Sequence, residues 1–273
     1  MRTVSICADD FGISKKINEG ILQCVKYRRV SEVSCIVCSE LRLKDFYSLK
    51  KYQSQIGIGI HITLTDLEFN LSKKPFKLPS YKTFLFTLNK INKNRNYFEY
   101  LIESQLDKFF FIFNQYPDFI DSHKHVHQFP QVFEILNKIL KKKNINKKYW
   151  IRNTHNNFLF SDLSNFSLKS LILSFLGKIF KTNLTYLKYN SNQNFLGVYN
   201  YKKKKKFRNI FLSFLNKIHF KNLIMVHPGY TDYSISKFDN LIEKREDELN
   251  YLLSESFLND MNYYKILIRK YKI

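Results

Sequence analysis

The sequence is poor in the residues that mark linkers, disulfide scaffolds and membrane spans. Its 273 residues include only 7 Gly, 5 Pro and 4 Cys. No flexible Gly/Ser linker divides the chain, and no run approaches the roughly 20 uninterrupted apolar residues that a membrane-spanning helix needs. Aspartates at positions 9 and 10 interrupt the N-terminus before a secretory apolar core could form, so we expect no signal peptide. These absences predict a soluble, cytoplasmic protein with one elaborated domain over residues 1–273.

The sequence is rich in hydrophobic residues, aromatic residues and lysine. Hydrophobic residues make up 44% and aromatic residues 16%, which supports a sizeable core and excludes a disordered chain. The net charge is +22, but the lysine comes with many residues that have AT-rich codons, so genome composition explains it more simply than a polyanion partner. The densest basic run, residues 202–206, lacks Arg and interleaved aromatics, and predicts a solvated loop or helix end. With no nucleic-acid-binding signature, we expect no nucleic acid partner.

The cysteines lie near the N-terminus, at positions 7, 24, 35 and 38. Residues 35–38 have CxxC spacing, but no second CxxC exists to complete a zinc ribbon. The pair also lies in an apolar, strand-like run. We therefore expect buried core cysteines rather than a metal or redox site.

Short β-branched runs alternate with amphipathic stretches, which is typical of a mainly parallel α/β fold. The predicted strands are residues 3–8, 33–37, a part of 56–64, 119–122, 149–152 and 223–226. The predicted helices begin after a Ser14 cap and cover residues 98–113, about 130–142 and 238–253. Two segments read as insertions, about 68–97 and 155–207. The second contains an amphipathic piece, residues 168–176, for which we favour a core-facing position over a membrane surface.

Two of the predicted strands end in side chains that can carry chemistry. Residues 8–12 (ADDFG) place paired carboxylates after an apolar strand, where a nearby cation would offset their repulsion. An Asx turn that caps the next helix explains the pair equally well. Residues 57–65 (GIGIHITLT) bring His61 to the end of another strand, a signal that is weak by itself.

The strongest motif is residues 121–130 (DSHKHVHQFP). If this segment is extended, the spacing i, i+2 and i+4 puts its three histidines on one face, together with Asp121. Packing does not explain three such imidazoles, so metal binding or acid/base chemistry is favoured. Residues 223–230 (LIMVHPGY) then deliver His227 to a fourth strand end, before a sharp turn. A barrel assembles an active site from separate strand ends in this way.

In this order and at these separations, the four motifs resemble the YdjC-like (ChbG/HpnK) carbohydrate deacetylases. Residues 245–249 (REDEL) also look like the late Arg-x-x-Glu-Leu segment of that family, and the resemblance runs from about residue 4 to residue 253. It implies a distorted (β/α) barrel of the polysaccharide-deacetylase type. It also implies divalent-metal-dependent removal of N-acetyl groups from an amino sugar, such as a chitooligosaccharide or a glycan or lipid-linked sugar.

Carried over by motif, the resemblance implies Asp10, His61 and His123 as metal ligands and Asp9 as general base. Mg²⁺ is the metal that the family favours, and the mixed donor set also admits Zn²⁺, Mn²⁺ or Co²⁺. We expect His227 to be the acid for the departing amine, because it comes from a separate strand end. Further side chains are expected to contact substrate or support the ligands: His125, His127, Asp121, Arg152 and Arg245.

Some alternatives stay open at this point. Either His125 or His127 could replace His123 as a ligand, although the family match favours His123. Cys7 stands where the family commonly has Asn, which could change a supporting hydrogen bond without removing the chemistry. A metal-dependent phosphoesterase with two ions is the main alternative function, and a non-catalytic basic nucleic-acid-binding protein is the weaker one. The expected partner is an N-acetylated sugar, with peripheral membrane contact and a homodimer left open.

Overall fold

A computed structural model describes residues 2–39, 43–145, 148–157, 168–199, 205–218, 222–236 and 241–272, with backbone alone at 168–170. Strands and helices alternate along most of these ranges. The strands are β1 (Arg2–Phe11), β2 (Glu32–Cys35), β3 (Gly57–Ile62), β4 (Glu68–Phe69), β5 (Phe76–Lys77), β6 (Phe119–Ser122), β7 (Trp150–Ile151), β8 (Asn194–Leu196), β9 (Asn222–Val226) and β10 (Ile266–Ile268). The helices are α1 (Lys15–Lys26), α2 (Leu43–Lys50), α3 (Tyr81–Thr87), α4 (Arg95–Phe113), α5 (Pro130–Lys142), α6 (Leu168–Tyr186), α7 (Phe207–Leu215), α8 (Ile242–Leu253) and α9 (Glu255–Tyr263).

The main sheet is parallel and curls into a barrel. Its strand order is β7-β6-β3-β2-β1-β9-β8, and β10 pairs with the first residues of β1. The two edges approach each other where Trp150 bridges to Asn190 and where the Phe195 N–H donates to the His155 carbonyl over 2.9 Å. Because few hydrogen bonds join the two edge strands, the barrel is distorted relative to a regular one, in which every neighbouring pair of strands is hydrogen-bonded. The distorted (β/α) barrel predicted from the sequence is confirmed.

The inside of the barrel is filled by apolar side chains. Phe119 stacks on Trp150 with ring centroids 4.6 Å apart. Gly59 makes room for this pair, since a β-carbon at that position would lie 2.4 Å from the Phe119 ring. The small cluster consists of Cys7, Phe119, Trp150, Phe195, Leu223, Met225 and Tyr271. A larger cluster packs between the strands and the surrounding helices.

Several local predictions are confirmed. The Ser14 hydroxyl caps α1 by accepting from the Ile17 N–H at 3.4 Å. Strand β6 and helix α5 have the predicted bounds, and all four cysteines are buried free thiols. Helix α8 begins at Ile242 rather than at 238, and residues 237–240 lie outside the described ranges. In the described part of the chain, no helix is both long and apolar enough to cross a membrane.

The two segments read as insertions contain regular structure. Residues 68–97 form the β4–β5 hairpin and α3, and their apolar side chains Phe69, Phe84 and Ile91 are buried in the main core. A composition rich in Lys and Asn is typical of irregular loops, but these buried side chains anchor the segment in a regular structure. The 155–207 segment supplies β8, a strand of the main sheet.

The described part of the basic run lies where the sequence predicts a helix end. Lys205 and Lys206 are exposed, and Lys206 directly precedes α7. Residues 202–204 lie outside the described ranges. The exposed position of the two described lysines agrees with a solvated end.

Candidate metal centre

The four strand-end groups predicted from the sequence meet at one rim of the barrel. Because β1, β3, β6 and β9 belong to the same parallel sheet, their C-terminal ends point the same way. The side chains at these ends are Asp9 and Asp10, His61, His123 and His227. The rim therefore gathers residues that are more than 200 positions apart in the sequence.

Asp9 and Asp10 reach different partners because β1 is irregular around them. The register of β1 on β2 shifts between Ala8 and Phe11, and Asp10 has a left-handed backbone with φ 69°. A non-glycine residue in this region is strained and needs surrounding contacts to hold it. As a result, Asp9 contacts Arg152, whereas the Asp10 carboxylate turns toward the ends of β3 and β6.

Asp10, His61 and His123 form a compact group of buried ligand-type atoms. Asp10 Oδ1 lies 3.4 Å from His61 Nε2 and 3.3 Å from His123 Nδ1. One such atom from each residue lies within 4.8 Å of the other two. Donor atoms that share an ion at about 2.1 Å are about 3.0–3.4 Å apart, so this spacing fits one cation. Among the described residues, no group hydrogen-bonds His123 Nε2, so the protein alone does not satisfy this buried ring.

The far side of the His61 ring is held by a carboxylate and a hydroxyl. His61 Nδ1 lies 2.7 Å from Asp121 Oδ1 and 3.0 Å from Ser34 Oγ, and Ser34 donates to the same Asp121 oxygen at 2.5 Å. Because the carboxylate accepts, we assign the Nδ1–H tautomer. In the neutral ring, this tautomer leaves the Nε2 lone pair facing the Asp10 side of the group. This is the carboxylate–histidine arrangement that supports metal-ligating imidazoles.

The electrostatics of the group favour a positive charge. Burial by itself would lower the pKa of His61, but Asp121 and Asp10 outweigh it and raise the pKa to about 10. Burial would likewise raise the pKa of Asp10, yet Arg245 and the two imidazoles hold it well below its usual range. Arg245 Nη2 donates to Asp10 Oδ2 at 2.6 Å, which leaves Oδ1 toward the histidines. A divalent cation would therefore take the place of a proton that this site already retains.

A second group of ligand-type atoms, from Cys7, Asp9 and Asp121, is already occupied by an arginine. Arg152 Nη1 donates to Asp9 Oδ2 at 2.5 Å. Its Nη2 lies 2.7 Å from Asp9 Oδ1, 2.7 Å from Asp121 Oδ2 and 2.9 Å from Cys7 Sγ. This buried guanidinium supplies the positive charge that the carboxylates need. Within the described ranges, the two-ion arrangement of a phosphoesterase therefore lacks a second site beside the first.

The prediction that the three histidines of residues 121–130 share one face is wrong. It assumed an extended chain, but β6 ends at Ser122. Lys124 and His125 then adopt left-handed conformations, with φ 55° and 58°, and the chain turns tightly. Alternation of side chains applies only within a strand, so the turn sends the three rings in different directions.

Each histidine of the turn has its own environment. His123 belongs to the Asp10 group, as described above. The His125 ring lies edge-on to Phe195, with centroids 5.5 Å apart. His127 uses both ring nitrogens within the protein: Nδ1 lies 2.7 Å from Ser122 Oγ and Nε2 lies 2.8 Å from a backbone carbonyl. Of the three, His123 is the one that the structure brings to the candidate ligands.

His227 lies at the same rim and is anchored through its backbone. Its N–H donates to Glu248 Oε2 at 2.5 Å, and the Tyr199 hydroxyl donates to the other carboxylate oxygen at 2.7 Å. Burial lowers the pKa of His227 to about 4, although Asp10 and Asp9 oppose the shift. The ring is therefore neutral at pH 7 before substrate binds.

Sequence reasoning missed two supporting residues. Ser34, which contacts both His61 and Asp121, lies in an ordinary strand, and nothing in its sequence context marks it. Glu248 lies three positions after Arg245, which places both on one face of α8. The Arg-x-x-Glu-Leu segment noted above contains Glu248, but sequence reasoning assigned a supporting role only to Arg245.

Asp121→Asn is expected to weaken cation binding by about 10- to 100-fold, the usual cost of losing a carboxylate that orients a ligating imidazole. Asparagine keeps the shape of Asp121 but not the charge that favours the Nδ1–H form of His61. Calorimetric titration of chelator-treated protein with Zn²⁺ or Mn²⁺ measures the change. Asp107→Asn, at a carboxylate that is 61% exposed on α4, is the matched control. Equal affinities in the two variants would show that Asp121 does not support a ligand.

Comparison with known proteins places this geometry in a family context. The family model described as YdjC-like protein matches residues 3–263. A carbohydrate deacetylase of Clostridium beijerinckii is 34% identical over 140 residues, which cover 50% of this chain and 56% of that protein. A chitooligosaccharide deacetylase of Proteus mirabilis is 31% identical over 147 residues, covering 50% and 54%. The chain thus spans little more than half the length of these two relatives.

A solved structure shares the whole fold. It is an Enterococcus faecalis protein with the provisional name cellobiose-phosphate cleavage protein, with a TM-score of 0.71. The match covers 99% of this chain and 97% of that one at 18% sequence identity. At this identity the likeness supports the barrel fold alone.

Proposed function

This chain belongs to the YdjC-like family, and we propose that it removes N-acetyl groups from an amino sugar in a reaction that needs one divalent cation. The observation that carries the proposal is the convergence of Asp10, His61 and His123 from three strand ends, with donor spacings that fit a shared ion. Relatives named carbohydrate deacetylase and chitooligosaccharide deacetylase support the substrate class.

In this proposal Asp10, His61 and His123 hold the cation. When bound, it supplies Lewis acidity, which lowers the pKa of water and polarises a carbonyl oxygen. Two imidazoles and one carboxylate suit Zn²⁺, Mn²⁺ or Co²⁺, while the family resemblance favours Mg²⁺. Reconstitution of the chelator-treated protein with each ion in turn identifies the one that restores activity.

Asp9 is the general base of the proposed reaction. It accepts a proton from the water that attacks the acetyl carbon. Arg152 fixes the carboxylate by contacting both of its oxygens, and the Cys7 thiol lies 3.4 Å from Asp9 Oδ1. Cys7, the departure from the family pattern, therefore supports Arg152 and Asp9 with a sulfur atom and leaves the two carboxylates of the rim in place.

His227 delivers a proton to the amine nitrogen as its bond to the acetyl carbon breaks, and acetate leaves. Because the ring is neutral at pH 7 in the absence of substrate, it acts as an acid only after it has gained a proton from solvent. Asp9 returns the proton of the attacking water to solvent once acetate has left, which balances the reaction. Asp9 and Asp10 favour the protonated form of the ring. Glu248 fixes the backbone from which the ring extends.

A screen of N-acetylated mono-, oligo- and lipid-linked sugars for acetate release tests the proposed function. We expect acetate from at least one N-acetylated amino sugar, loss of that activity with a chelator, and recovery on adding the cation back. Phosphate release from phosphoesters, together with two ions per chain, would instead establish the alternative function. Acetate release that persists in chelator would contradict the metal-dependent mechanism.

A further inference from the structure

Helix α6 is apolar on two opposite faces. One face packs into the core through Leu173, Phe180 and Leu184, which are buried. The other face exposes a row of large side chains, here called the outer stripe: Ile172 (53% exposed), Phe175 (65%), Ile179 (46%) and Tyr186 (85%). A helix that only covers a barrel needs the first face and has no structural use for the second.

Ile172, Phe175 and Ile179 form an apolar row on one side of α6, and Tyr186 lies two turns further along the same side, beyond the polar Thr182 and Asn183. The members of the outer stripe are three, four and seven positions apart, which at 100° per residue places them within an arc of about 60°. Single exposed apolar residues are common on protein surfaces, but an aligned row indicates an interaction surface. The stripe therefore needs a partner with an apolar layer.

Basic groups lie beside the outer stripe. A shallow groove of about 510 Å³, here called the basic groove, is lined by His155, Lys178, Lys181, Thr182, Thr185 and Tyr186. Lys181 Nζ donates to the Gln193 carbonyl at 2.9 Å, which holds its ammonium group at this flank. Helix α6 contains no Asp or Glu between positions 168 and 186. The partner should therefore carry negative charge next to its apolar layer.

These features favour a lipid surface over a second copy of the chain. Two copies would each carry a net charge of +22, and stripe-to-stripe packing would bring the lysines of one copy near those of the other. Anionic lipids attract the same lysines, and bulky apolar side chains insert at the boundary between headgroups and acyl chains. We propose that the outer stripe and the basic groove dock this protein on the surface of an anionic lipid bilayer.

The docking helix is attached to the loop that leaves the active-site rim. Thr154 Oγ1 donates to the Leu173 carbonyl at 2.6 Å, and the Asn156 N–H donates to Ser174 Oγ at 3.0 Å. Thr154 follows two residues after Arg152, the partner of Asp9. Helix α6 is therefore fixed to this loop by its inner side, opposite the outer stripe. The docking proposal itself does not depend on the reaction catalysed at the rim.

Flotation of the full-length protein with vesicles tests the proposal. With phosphatidylcholine vesicles that contain phosphatidylglycerol, we expect Phe175→Ser to lower the partition coefficient about tenfold, as expected for the lost burial of one phenylalanine. Lys178→Gln should lower it about fivefold. Vesicles of phosphatidylcholine alone, or high salt, should bind the wild type much more weakly.

Phe111→Ser is the matched control, because Phe111 is 67% exposed on α4 and has Lys108 Nζ 4.8 Å from its ring centroid. It should bind vesicles as the wild type does, and all variants should show the wild-type melting temperature. Equal binding by Phe175→Ser and the wild type would overturn the proposal. So would an equal loss in both phenylalanine variants, or a lipid-free dimer that Phe175→Ser converts to monomer in sedimentation, since the stripe would then be a contact between copies.

Discussion

Replacing Asp10 with alanine is expected to remove the bound cation and to lower kcat/KM for acetate release by at least about a thousandfold. Asp10 offers the oxygen toward which both histidines converge, at 3.4 and 3.3 Å. Lewis-acid stabilisation of the developing charge is worth several kcal/mol, and about 4 kcal/mol corresponds to that loss. Elemental analysis of the purified protein measures the metal, and steady-state kinetics measure the activity.

A second variant separates ligand loss from misfolding. Asp10→Ala removes the carboxylate that pairs with the buried Arg245 guanidinium, and breaking a buried ion pair can destabilise the fold by about 3–5 kcal/mol. His123→Ala keeps the Arg245–Asp10 ion pair and should still lose metal and activity while melting near the wild-type temperature. Asp107→Ala, which removes an exposed carboxylate of α4, is the control: after the same purification it should contain as much metal as the wild type. Stoichiometric metal in both ligand variants would refute the assignment of the site.

Asp9→Asn should have a different effect, namely normal metal content with a kcat lowered about 10²- to 10⁴-fold. The asparagine oxygen can still accept one hydrogen bond from Arg152, but the amide nitrogen cannot accept the second, so the melting temperature of the variant is measured beside its kcat. An amide cannot accept the proton of the attacking water. Asp10 and the two histidines are untouched, so elemental analysis should find the same metal-to-protein ratio as in the wild type.

Comparing Asp9→Asn with Asp10→Asn distinguishes a role in proton transfer from a role in metal binding. The two carboxylates are adjacent in sequence and equally buried, yet only Asp10 contacts the histidines. Metal loss in both variants would assign Asp9 to binding rather than to proton transfer. A kcat for Asp9→Asn within a factor of about two of the wild type would place the general base elsewhere.

The arrangement of strands could be predicted because it follows from local patterns. The carboxyl ends of parallel strands meet at one rim, so the sequence alone predicts that the acidic pair near the end of β1, His61 in β3 and His227 after β9 lie together. The end of β6 at Ser122 and the start of α5 at Pro130 could also be predicted, and proline is favoured in the first turn of a helix. Here the sequence pattern and the packing agree.

The details of the centre depend on contacts that no pattern encodes. Spacing alone placed His125 and His127 beside His123, because it could not show that Lys124 and His125 turn left-handed immediately after the strand. Ser34 is a common serine in a common strand, and its role exists only because β2 lies between β1 and β3. The regular structure of residues 68–97 could not be predicted for a similar reason. Burial of three apolar side chains stabilises it, although most of the segment is polar.

Anomalous diffraction from a crystal grown with Mn²⁺ tests the central claim most directly, because it locates the ion without reference to activity. The account predicts one peak per chain, at coordination distance from Asp10, His61 and His123, and no peak in the Arg152 site. A peak among Cys7, Asp9 and Asp121, or an empty Asp10 group at saturating Mn²⁺, would contradict it.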